Sequence, residues 1–371
     1  MIYFDNAATN GFKISAVTDA VTSTLKFLSA NPGRSGHRLS LKGAELVYKT
    51  RSIIAETFGA KNPNHVIFTS NCTDALNKAI FGTVKKGDHV ITTVYEHNSV
   101  LRPLFHLKDN GIIDLTIVKP TDDGVASEIV NSIRKNTTLV AITGASNVTG
   151  EQPNWRDLTD TLRAKGVHLL IDGAQSGGHV PINVINDKIS LLCLAGHKGL
   201  NGIAGSGVLI IGEDVDVNPT VFGGTGTETF LLSQPTSLPE RLESGTLNLP
   251  SIVALGEGVS YTAKNVVRFG KILLEITDYL IRGLRKISGV TVYSKPNEFG
   301  IVSFNMCGYD SEEVAFVLND KFDVAVRGGY HCAPLMHEFL GTKDGGTVRA
   351  SLSTHNTVRE IDSFLYAVNT L

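Results

Sequence analysis

Between residues 65 and 211 the chain alternates short apolar runs with longer segments whose apolar positions recur every three or four residues. The runs 65-HVIFT-69, 89-HVITTV-94, 113-IDLTIV-118, 139-LVAITG-144, 167-VHLLI-171, 189-ISLLCL-194 and 207-GVLII-211 are rich in β-branched residues and predict strands. Segments such as 73-TDALNKAIFG-82 and 154-NWRDLTDTLRAKG-166 carry helical periodicity between them. Strands that are apolar throughout and separated by helices predict a mostly parallel, seven-stranded sheet covered on both faces, the core of an α/β domain.

Past residue 249 the pattern changes. A long helical stretch, 250–289, holds its glycines where breaks would be tolerated. Shorter strands at 290-VTVYS-294, 300-GIVSFN-305, 324-VAVRG-328 and 347-TVRASLS-353 then mix with helices at 311–320 and 357–370, predicting a smaller α+β domain. The expected division is a large domain over 15–250 and a small one built from 1–14 and 251–371. A cleft between two such domains is the natural place for a ligand.

Composition narrows the function classes. With 371 residues, 42% hydrophobic and 19% charged, the chain has material for one large and one smaller core. A net charge of -2, without Lys/Arg clusters interleaved with aromatics, excludes a nucleic-acid partner. The first residues, MIYFDNAATN, have no basic region followed by an apolar core, and no run reaches the ~18 apolar residues of a membrane span. A cytoplasmic protein with no membrane partner is expected. Cys72, Cys193, Cys307 and Cys332 lie far apart without a C-x-x-C, which argues for reduced thiols and against a metal site.

Ligands of open α/β sheets sit beyond the carboxyl ends of the strands, so chemistry is sought there. After the strand at 65–69 the turn leads into a helix starting near Thr73, whose free amides suit a phosphate, although a Ser/Thr cap needs no ligand. Asp172 in 170-LIDGAQSGG-178 ends an apolar strand and would need a cation such as a protonated pyridine nitrogen, unless it merely caps the loop. His97 follows another strand, where packing or catalysis would both serve. Lys198 stands in 195-AGHKGLNGIAGSG-207, where a lysine desolvated among glycines has a depressed amine pKa and can form a Schiff base; a plain surface lysine is the alternative. The order changes the picture. A phosphate turn, a histidine, Asp172 followed by Gln175, then His197 and Lys198 is the set that a pyridoxal 5'-phosphate site needs.

The chain resembles the class V aminotransferase family of fold type I pyridoxal phosphate enzymes, and within it the group II cysteine desulfurases and selenocysteine lyases. The resemblance runs through 3-YFDNAAT-9, 34-RSGHRLS-40, 68-FTSNCTDALN-77, 96-EHNS-99, 146-SNVTG-150, 171-IDGAQ-175, 196-GHKG-199, 243-ESGTLN-248, 327-RGGYHCAPLMH-337 and 348-VRASLSTHNT-357. It implies that Lys198 is the Schiff-base lysine and that Asp172 keeps the pyridine nitrogen protonated. It further implies that Gln175 meets the ring hydroxyl oxygen, that His97 stacks on the ring as a catalytic residue, and that Cys72, Thr73 and His197 hold the phosphate. Asn147 falls where the family contacts ring or substrate, and Arg349 matches the arginine that forks onto the substrate carboxylate. The family's site lies at a dimer interface, so the resemblance implies a homodimer in which Arg34 and Thr227, of 224-GTGTE-228, reach the neighbouring subunit's site.

Cys332 precedes 333-APLMHEFLG-341, where Pro334 fits a first helical turn and Gly341 its end. A thiol there has a lowered pKa and acts as a nucleophile. His331 is not assigned as its base, because successive side chains of an extended segment point apart. The implied reaction converts L-cysteine to L-alanine with a persulfide on Cys332, which a sulfur-acceptor protein would relieve. A β-lyase splitting cysteine or cystine, or a selenocysteine lyase, needs the same cofactor residues but no protein thiol; an aminotransferase or epimerase would leave Cys332 idle. Three positions depart from the family pattern: Ala195 replaces a serine, Cys72 a threonine and Tyr330 a histidine.

Overall fold

In the computed structural model, which describes residues 1–122 and 124–371, the seven apolar runs form one sheet. Chain order begins with β1 (Ile2–Tyr3), α1 (Ser15–Phe27), α2 (Arg38–Phe58), β2 (Val66–Thr69), α3 (Cys72–Thr83), β3 (Asp88–Thr93) and α4 (Asn98–Asp109). It continues with β4 (Ile113–Val118), α5 (Gly124–Asn131), β5 (Thr137–Thr143), α6 (Thr159–Ala164), β6 (His168–Asp172), β7 (Leu191–Ala195) and β8 (Gly207–Ile211). The remainder is α7 (Leu249–Leu284), β9 (Val290–Val292), β10 (Ile301–Met306), α8 (Ser311–Phe322), β11 (Val324–Ala325), α9 (Pro334–Leu340), β12 (Val348–Ser351) and α10 (Val358–Thr370).

The large sheet has the order β2-β8-β7-β6-β5-β3-β4, and β8 alone runs antiparallel to its neighbours. Its strands are apolar on both faces because both are covered. Leu169 and Ile171 of β6 enter a core shared with Ile54, Trp155 and Leu255, while Leu170 between them joins Leu76, Val100 and Leu104 on the other side. A third core gathers Phe4, Leu280, Phe304, Val314 and Phe364 around the antiparallel sheet β12-β10-β9.

Three expectations need correction. The expected strand at 324–328 shrinks to Val324–Ala325, paired in parallel with β1, because Gly328 and Gly329 turn the chain away, the latter at φ +96°. The stretch 154–166 splits into a 3-10 turn at Trp155–Leu158 and the short α6. Gly256, Gly258, Gly270 and Gly283 do not break the helix: α7 runs unbroken for 36 residues and stops at Leu284, short of Gly289 at φ +76°. They mark close approaches instead. A Cβ on Gly258 would run into the backbone of Leu200 and Asn201, and one on Gly256 would stand 2.7 Å from Thr50 Oγ1.

Candidate active site

The carboxyl ends of β2, β3, β5, β6 and β7 converge on one cavity of about 100 Å³. Cys72, Thr73, His97, Asn147, Asp172, Gln175, His197 and Lys198 all line it.

Asp172 closes β6 and is 3% exposed. Its Oδ1 accepts from the Ala174 amide at 3.0 Å and the Cys72 thiol at 3.5 Å, whereas no donor among the described residues meets Oδ2. At the start of α3, Asn71 caps the amide of Asp74, while those of Cys72 and Thr73 find no acceptor among the described residues. Those amides, at the positive end of the helix dipole, face the cavity that their residues line. Thr73 Oγ1 meets Ser99 Oγ at 2.8 Å, joining the amino termini of α3 and α4.

His97 is the N-cap of α4. Its Nδ1 accepts the Ser99 amide at 3.0 Å, which leaves the ring proton on Nε2. Burial, opposed by Asp172, pushes its pKa down to about 4, so a neutral ring faces the cavity. His197 is likewise pushed down to about 4, by burial and then by the charges of Lys198 and Lys13. Lys198 lies in the turn after β7, and its Nζ has no acceptor among the described residues. Burial, followed by the Arg349 charge, lowers its pKa against the pull of Asp172. The glycine beside it is dictated by packing: a Cβ on Gly199 would stand 2.7 Å from the His179 ring.

These features fit pyridoxal phosphate. A free carboxylate oxygen suits a ring nitrogen, unclaimed helix amides suit a phosphate, a neutral imidazole suits a stacked ring, and a desolvated amine suits a carbonyl. Gln175 gives an amide proton to the Ala7 carbonyl at 2.9 Å, leaving its second one for a ligand. Ala195 presents only a methyl group to the cavity.

The Cys332 segment is fastened to this cavity from two sides. The Asn98 amide donates to the Cys332 carbonyl at 2.7 Å, and the Asn147 side-chain amide donates to the His331 carbonyl at 2.6 Å. His331 and Cys332 both adopt left-handed backbone, φ +48° and +59°, a strained conformation for side chains of this kind. The segment is therefore not extended, which corrects the geometric reason for setting His331 aside. The conclusion survives on other grounds: His331 turns inward to Thr347, and burial pushes its pKa down to about 2, while Cys332 is exposed. Pro334 and Gly341 open and close α9. Tyr330 packs edge-on against His337 and its hydroxyl accepts the Gly345 amide at 3.4 Å.

Arg349 is buried. Its Nη1 donates to the Asn147 carbonyl at 2.9 Å and Nη2 to Asp5 at 3.0 Å, while the buried Nε has no partner among the described residues. A substrate carboxylate reaching this guanidinium would share it with Asp5. Arg34 and Thr227 are not brought to the cavity of their own chain. Arg34 donates to the carbonyls of Gly224 and Gly245, and Thr227 contacts Thr225 within the same exposed segment.

Three residues escape sequence reasoning although they sit inside or beside the quoted motifs. Asp5 anchors Arg349. The exposed Arg327 has no carboxylate partner among the described residues, and its charge helps to lower the pKa values of Lys198 and His97. Glu96, fully buried beside Asp172, accepts from Thr93 at 2.6 Å, and its Oε2 meets no donor among the described residues. The only signal was a carboxylate next to His97 in a strand-end motif. Among the described residues no cluster of three or more His, Cys, Asp or Glu is placed to hold a metal, and no helix is long and apolar enough to cross a membrane.

Residues 2–364 match the family model described as aminotransferase class-V. A probable cysteine desulfurase of Methanothermobacter thermautotrophicus is 31% identical, over 97% of this chain and 92% of its own length. One of Pyrococcus abyssi is 32% identical over 98% and 92%. The apo structure of a cysteine desulfurase from Thermococcus onnurineus superposes with a TM-score of 0.92 at 32% identity, covering 100% of this chain and 94% of that one.

Proposed function

The chain belongs to the aminotransferase class-V family, and on that premise we propose that it is a cysteine desulfurase using pyridoxal phosphate, with L-cysteine as substrate and L-alanine as carbon product. When bound, the cofactor supplies an electron sink for removal of the substrate α-proton. In this proposal Lys198 Nζ, held below its usual pKa by burial, takes up and returns that proton. Asp172 Oδ2 pairs with the ring nitrogen, the neutral His97 stacks on the ring, and the amides of Cys72 and Thr73 with His197 hold the phosphate. Arg349 orients the substrate carboxylate. Cys332 Sγ attacks the substrate sulfur, so the carbon–sulfur bond breaks, a sulfur–sulfur bond forms, and the carbon fragment is protonated to alanine.

The observation that carries the reading is the placement of Cys332: an exposed thiol on strained backbone, in a segment latched by Asn147 to the cavity wall and by the Asn98 amide to the start of α4. Strain of this kind persists only where the surroundings hold it. We further propose that the chain works as a homodimer in which Thr227 and Arg34 complete the partner's cavity, that residues 15–250 form one domain and 1–14 with 251–371 the other, and that an acceptor protein removes the sulfur. The test is to supply L-cysteine with a reductant and identify the carbon product. Alanine is expected; pyruvate with ammonia would replace the desulfurase by a β-lyase on the same scaffold.

A further inference from the structure

Cys72 occupies two roles at one position. As the first residue of α3 it offers its backbone amide to the cavity, and its side chain turns back across the cavity floor to Asp172 Oδ1 at 3.5 Å. That oxygen also accepts the Ala174 amide at 3.0 Å, whereas Oδ2 has no donor among the described residues. Two donors on one oxygen fix the plane of the carboxylate and leave the other oxygen to the ligand. Burial and then the Asp172 charge raise the thiol pKa well above its usual value, so the sulfur keeps its proton and remains a donor. Cys193, beneath it, is raised in the same way and offers Asp172 no anion.

We propose that Cys72 is a positioning residue that holds Asp172 so that Oδ2 points at the cofactor ring nitrogen, a task separate from its amide's contact with the phosphate. This rests on the proposed pairing of Asp172 with that nitrogen. A second consequence concerns chemistry at the thiol: alkylating Cys72 would remove the donor and fill the floor of the cavity.

The experiment measures equilibrium binding to the full chain stripped of cofactor, by quenching of Trp155 fluorescence or by dialysis. Two probes are compared, pyridoxal phosphate and its analogue with a carbon in place of the ring nitrogen. The wild type is expected to prefer the natural cofactor. Cys72→Ala should weaken binding of pyridoxal phosphate about three- to tenfold, the scale of one weak hydrogen bond, and leave the analogue's affinity within about twofold. Cys72→Ser, which keeps a donor, should restore most of the preference. If Cys72→Ala weakens both probes alike, or leaves the preference at its wild-type value, the positioning role is wrong. Equal wild-type affinity for the two probes would overturn the Asp172 pairing, and the inference with it.

Discussion

Lys198 carries the most specific residue-scale expectation. Lys198→Ala should abolish turnover, and the adduct trapped by borohydride in the wild type should map to Lys198 alone; a label on Lys165 or another lysine would contradict the assignment. Arg349→Ala should weaken cysteine binding by about 2–5 kcal/mol, the usual cost of removing one partner from a buried charge pair. An unchanged KM in a variant that melts normally would show that the guanidinium serves only Asp5. Glu96 gives a pH prediction. Burial, opposed by the Thr93 hydrogen bond, raises its pKa from 4.5 to about 8. A raised folded pKa means that the folded protein binds the extra proton, so its stability contribution is full below about pH 4.5 and is lost as pH rises through about 8. Glu96→Gln should therefore gain Tm relative to wild type between pH 6 and pH 8.5, and a constant difference across that range would refute the buried protonated state. The site was legible in the sequence wherever a polar residue ended an apolar run, as at Asp172, His97 and Lys198. Asp5, Arg327 and Glu96 were not, because their roles depend on which distant segment folds against them.

At the scale of elements, hydrophobic patterning gave all seven strands of the main sheet within about two residues, since strands buried on both faces are apolar throughout. It gave no antiparallel direction for β8, because an apolar run carries no sign of its direction. The pattern assigns no helix at α1, α2, α4 or α5. In α2 polar residues are as numerous as apolar ones, and Pro103 lies inside α4. Tight packing and tolerance of a helix break leave the same mark in sequence, so the glycines of α7 do not reveal their packing role there. Their real role reverses the usual sign of a substitution. Gly→Ala in an exposed helix stabilises by about 1 kcal/mol, but Gly258→Ala forces a methyl group against the Leu200 carbonyl and should destabilise by about 1–3 kcal/mol. Urea denaturation of the two chains decides it, and a stabilised variant would mean that α7 sits farther from 200–202.

For the whole molecule, the segment from 221 to 232 bears on assembly. Phe230 and Leu232 are about fully exposed, at 99% and 103%, beside the exposed Phe222, and Arg34 ties its other end to Gly245. Exposed apolar side chains of this size fit a surface covered by a second copy. A homodimer is expected by light scattering, and Phe230→Asp with Leu232→Asp should shift it toward monomer and lower cofactor retention through loss of Thr227; a monomeric wild type with full cofactor would contradict the shared site. The central claim is that Cys332 takes sulfur from cysteine. The most direct measurement compares wild type with Cys332→Ser at matched cofactor content, counting alanine formed per active site and searching Cys332 by mass spectrometry for one added sulfur. The account predicts an adduct on the wild type and loss of alanine production in a variant that still binds cofactor and cysteine. Cysteine turnover at the wild-type rate in the variant, with no adduct on the wild type, would contradict it.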